Sequence, residues 1–212
     1  MSRTALGFTR SPTERHWGLG PLADASGTVM LIRWTIEPTP MDGGMPPAVG
    51  ALLAGALAGV GAVTFPTDPG ARQDGAVVRT VSVEPLARRA WFRLTGRPAA
   101  VTLVTTRDAS AIEIMFDVGA FPWWMGSQFA LLSDAPPEIS ATTALKLLDR
   151  DWVAEASALS GVFAAIRAGV DGDVLGLWSR NTAVENRLLS AIARAAAERD
   201  MSWRALAQDE WP

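Results

Sequence analysis

Apolar residues along this chain come in short runs, and the spacing within each run separates strands from helices. Gly27 to Glu37, GTVMLIRWTIE, is apolar on both alternations, with Val29 and Leu31 on one side and Ile32, Trp34 and Ile36 on the other. That pattern predicts a central strand, ended by Pro38 and Pro40. Pro47 to Phe65, PAVGALLAGALAGVGAVTF, carries no charge and is nearly long enough to cross a membrane. It is mostly Ala and Gly, with few large side chains to drive insertion, so it predicts a buried helix stopped by Pro66 and Pro69. Ala76 to Val83 predicts a strand, and Glu84 to Leu94 a helix with Pro85 in its first turn, where a missing N–H is harmless. Val101 to Thr106 and Ala111 to Phe116 predict a hairpin across the intervening RDAS. Phe129 to Leu132 is a short apolar run, followed by a Pro-containing loop, Ala135 to Ile139.

The second half is patterned more strongly. A helix is expected from Thr142 or Thr143 to Leu159, with Leu145, Leu148, Trp152 and Leu159 on one face. Gly161 to Asn181 reads as two strands joined by the turn GVDGD, whose residues tolerate a chain reversal. Arg167 closes the first of these strands and Arg180 follows Trp178 at the end of the second. Two guanidiniums and an indole at the open end of a hairpin suit an anion such as phosphate. Ala183 to Arg199 is the clearest helix, with Leu188, Leu189, Ile192 and Ala196 on its core side and Asn181 or Thr182 as cap. The alternation predicts an α+β fold: a curved antiparallel sheet with about three helices packed on its convex face. Residues 1–26, polar and rich in Gly, Pro and Arg, read as a loose N-terminal arm around His16 and Trp17, leaving 27–212 as one domain.

Composition narrows the chemistry. A formal charge of −3 argues against broad electrostatic binding of nucleic acid, DNA included. With no cysteine and a single histidine, neither a thiolate nor a His-rich metal site can form, and no cofactor is expected. No acid, base or nucleophile set assembles from the sequence, which predicts a binding protein rather than an enzyme. Asp149, Asp151 and Asp173 read as helix-start and turn residues. Nine tryptophans without one tyrosine is the unusual feature, and indoles in such number suggest that some serve binding.

Several segments, taken in order, resemble the translation initiation factor 4E family, the proteins that bind the mRNA 5′ cap. MFDVGAFPWW, Met115 to Trp124, is similar to the family's aromatic-Lys-Asp-Gly-x-x-Pro-x-Trp segment. LDRDW, Leu148 to Trp152, is similar to its helix beginning Leu-Asp-Arg-x-Trp, and the interval from Trp124 to Trp152 agrees with the family's. GVFAAIR and DVLGLWSRN resemble two of its strands, and Val83-Glu84 resembles the start of its Val-Glu-x-Phe-Trp helix. The resemblance implies a methylated guanine sandwiched by aromatic rings, with Trp124 on one face and Phe65 the only aromatic available for the other. It places Trp178 at the base edge and Arg167 on the cap phosphates, with Arg180 nearby. On the opposite side it implies a groove for a helical peptide of a scaffold or repressor protein, lined by Val83, Glu84, Leu86 and Trp152.

The chain departs from that pattern in several places, among them the phosphate-site lysine, absent near the hairpin turn where Asp171 and Asp173 stand, and the Gly-Gly-x-Trp strand, replaced by FALLS. Met125 stands where the family has the glutamate that reads the guanine N–H edge, and no tryptophan occurs between Trp34 and Val77. A thioether cannot accept two N–H bonds as a carboxylate does. The expectation is therefore twofold: a cytoplasmic cap-binding protein whose partner is capped mRNA, or the same fold without cap binding, acting as an adaptor or decoy in translation control.

Overall fold

Strands with no polar face need cover on both sides, and that requirement organises this molecule. The computed structural model describes residues 3–10, 27–37, 45–67, 75–83, 88, 90, 94, 100–116, 129–148, 152–168 and 174–206. It is an α+β fold built on one open nine-stranded sheet. The strands are β1 (Arg3–Arg10), β2 (Thr28–Glu37), β3 (Ala62–Thr67), β4 (Val77–Ser82), β5 (Ala100–Thr106), β6 (Phe129–Ser133), β7 (Val162–Ala168), β8 (Val174–Ser179) and β9 (Ser202–Ala205). Their order across the sheet is β4-β5-β3-β6-β7-β8-β2-β1-β9. All neighbours pair antiparallel except β1 and β9, which run parallel.

Five helices are described: α1 (Pro47–Ala58), α2 (Ala109–Phe116), α3 (Ala141–Leu147), α4 (Trp152–Ala158) and α5 (Thr182–Ala197). They divide between the two faces. Met30, Ile32, Phe65, Val104, Leu132, Ile166, Leu175 and Leu177 pack with α1, α2 and α5. The alternate residues Leu31, Leu103, Phe129, Leu131, Ala165 and Trp178 pack with α3 and α4. The expectation of helices gathered on one face is thus corrected, because the alternate positions of β6, β7 and β8 are as apolar as their neighbours. At the irregularity between Leu132 and Ser133, Leu132 pairs with Ala164 while Ser133 pairs with Val162. The extra residue there, Phe163, lets Val162 and Ala164 serve opposite faces.

Four further local expectations are corrected. The uncharged run from Pro47 is not one helix: it breaks at Gly59–Gly61, and Ala62–Thr67 becomes a strand between β5 and β6. Pro66 does not stop that segment but lies in the strand, past the Ala62–Thr64 stretch that pairs with β6. Thr142–Leu159 is not a single helix either. Ser140 caps α3 by accepting from the Thr143 amide at 3.1 Å, and α4 begins separately at Trp152. The supposed loose arm supplies β1, paired along its length with β2, and Trp203 belongs to β9 with its ring stacked 5.0 Å from that of Phe8. His16, Trp17 and most of the Glu84–Leu94 segment lie outside the described residues.

The last correction concerns α2. Ala111–Phe116 alternates well enough to suggest a strand, but Asp108 turns it into a helix. Its carboxylate accepts from the Ala111 amide at 2.9 Å, and its carbonyl accepts from Ile112 at 3.1 Å. Ile112, Met115 and Phe116 then fall on one buried face. Hydrogen bonds from the Ser110 hydroxyl and the Ala111 amide hold the Asp108 carboxyl below its usual range. A depressed folded value means the cap stabilises above the ordinary carboxylate range and fades as pH falls through that value. The urea midpoint of wild type is expected to approach that of Asp108→Ala as pH falls from neutral to about 3, whereas Asp108→Asn keeps a pH-independent cap.

Candidate functional site

The hairpin does bring Arg167, Trp178 and Arg180 to one side of the sheet, but Arg167 and Trp178 turn inward, and the exposed Arg180 lies over the end of α4. Trp178 is 0% exposed. Part of its cover is Gly27, whose φ of 121° suits only glycine and whose backbone lies against the indole: a Cβ there would stand 2.7 Å from Nε1. Phe65, 1% exposed, belongs to the opposite core. Phe65 and Trp178 project from opposite faces of one sheet, so the two rings cannot serve one base.

Both arginines are helix C-caps. Arg167 donates to the Leu147 and Leu148 carbonyls at 3.3 and 3.0 Å, where α3 ends. Arg180 donates from Nε to the Val162 carbonyl at 2.9 Å, and from Nη2 to the Ser157, Leu159 and Val162 carbonyls at 3.1, 3.0 and 2.7 Å, where α4 ends. Its guanidinium also lies 5.6 Å from the Trp178 ring centroid. Terminal carbonyls with no intrahelical donor and the negative end of each helix dipole account for both placements. The partner-groove residues are interior as well: Val83 and Trp152 are buried in the second core. Trp124, Met125, Glu84 and Leu86 lie outside the described residues.

An open site lies elsewhere, beside the start of α1 and the outer face of α2. A cavity of about 470 Å³ is bounded on one side by Met45, Pro47 and Gly50. Across from them, Ser110, Glu113 and Ile114 sit at i, i+3 and i+4 of α2, with Phe116 at the inner end. The helices meet closely below it, since a Cβ on Gly50 would lie 3.0 Å from the Phe116 Cβ. The walls are mainly apolar, and Ile114 is 43% exposed although large and hydrophobic. Its polar groups are unequal. The Ser110 hydroxyl is engaged by Asp108, whereas Glu113 makes no hydrogen bond or ion pair among the described residues.

No protein-family model, curated protein or solved structure matches the chain. Among the described residues no three His, Cys, Asp or Glu side chains gather to hold a metal, and no helix is long and apolar enough to cross a membrane.

The capping role of Arg167 has a direct consequence. Arg167→Ala strands two carbonyls at the end of α3 and is expected to cost about 2–3 kcal/mol in urea unfolding. Lysine has no planar fork to span both carbonyls, so Arg167→Lys is expected to recover less than half of that loss.

Proposed function

We propose that this chain is a binding protein whose ligand is a small apolar or amphiphilic molecule held in the cavity beside α1 and α2. The observation that carries this reading is the cavity itself: about 470 Å³, largely apolar, with Ile114 left in water at its rim. That size falls within the usual range for small-molecule sites. A helical peptide would need anchors over two turns, whereas among the described residues Ile114 is the only large exposed apolar side chain lining this cavity. The adaptor reading of the resemblance also required Val83 and Trp152 at a surface, and both are buried.

The test is titration with a neutral apolar fluorophore such as N-phenyl-1-naphthylamine. Saturable enhancement is expected for wild type. Ile114→Asp alters an exposed position, so it is expected to leave the unfolding midpoint within experimental error while weakening binding about tenfold. Enhancement that does not saturate, or that is the same in Ile114→Asp, removes the cavity as the ligand site.

Cap binding calls on Arg167 and Trp178, both buried, and on Arg180, whose guanidinium is engaged by the carbonyls at the end of α4. A methylated cap analogue is therefore expected to leave tryptophan emission unchanged. Saturable quenching that is absent with unmethylated GTP and lost in Trp124→Ala would reinstate the cap as ligand.

A further inference from the structure

Resting on the cavity as the ligand site, we infer that its ligand is a small organic cation: an apolar body of alkyl or aryl character bearing an ammonium group. Among the described residues, Glu113 is the only ionisable side chain lining the cavity. It stands next to Ile114 on the exposed side of α2, and no cation among the described residues pairs with it. The nearest basic residue along the chain, Arg107, turns away and donates to the Asp134 carbonyl at 3.1 Å. Asp108 adds a second negative charge at the start of the same helix.

One feature pulls the other way. The N-terminus of α1 opens on the same cavity, and helix N-termini attract anions. Its attraction is weakened here, because Pro47 has no N–H and the amides of Val49 and Gly50 already donate to the Pro46 carbonyl at 2.9 and 3.0 Å. A full carboxylate charge against at most about half a charge at the helix end leaves the balance negative. A ligand that places its hydrocarbon between Pro47 and Ile114 and its ammonium on Glu113 satisfies both the walls and the charge.

The experiment displaces bound N-phenyl-1-naphthylamine with octylammonium, octanol and octanoate, in wild type and in Glu113→Gln. Glu113 is exposed, so the substitution leaves the fold intact. In wild type, octylammonium is expected to displace the dye at about three- to fivefold lower concentration than octanol, the gain of one solvent-exposed ion pair. Octanoate is expected to be the weakest of the three. In Glu113→Gln the dye is expected to bind as before and the preference for the ammonium to vanish. Equal potency of the three competitors, a preference for octanoate, or an ammonium preference that survives Glu113→Gln would overturn the cationic ligand while leaving the cavity as the site. Failure of both dye and octylammonium to bind wild type would overturn the two together.

Discussion

The constraint on which this structure depends is that its central strands have no polar face. On β6 and β8 every residue is buried, so each alternate side chain needs a partner layer. Local sequence then decides what covers which face. The long amphipathic α5 and the Ala/Gly-rich α1 lie over one side, and the short α3 and α4 over the other. Arg167 and Arg180 are the price of the second layer. Two short helices ending over a buried sheet leave terminal carbonyls without intrahelical donors, and a guanidinium fork is the side chain best shaped to satisfy them.

Much of this framework was legible in the chain. The hairpin of β7 and β8, the central strand β2 and the helix α5 were readable because each carries a periodic pattern closed by turn or cap residues. Asn181 accepts from the Val184 amide at 3.0 Å, as its position before the helix suggests. Other elements escaped for identifiable reasons. AIEIMF fits both periods over six residues, and the capping carboxylate of Asp108 decides between them. Strand β3 was hidden because its apolar character continues that of α1 without a polar break. Strands β1 and β9 lie towards one edge of the sheet, where the apolar signal is weak.

The candidate site was much less legible. Tryptophan and arginine at the end of a hairpin look the same in sequence whether they face solvent or the core. Only the placement of α3, α4 and Gly27 shows that Trp178 and Arg167 turn inward and that Arg180 binds the carbonyls at the end of α4. The cavity had a usable signal in Ser110, Glu113 and Ile114, which share one face of a helix. That signal exists only once residues 109–116 are helical, and a strand assignment puts Glu113 on the opposite side from Ser110 and Ile114.

The neighbours of β2 bear on how the molecule assembles. Its partner β1 is close in sequence, but its other partner is β8, and the Thr28–Ser179 hydroxyl contact of 2.9 Å joins residues 151 positions apart. During synthesis the β1–β2 hairpin therefore spends most of the elongation time with one long apolar edge open. Closure waits for β8, after which β9 can dock beside β1. Strands β1 and β2 precede β8 and β9 in the chain yet are secured only with them, and the nascent chain is most prone to misassociate while that edge is open.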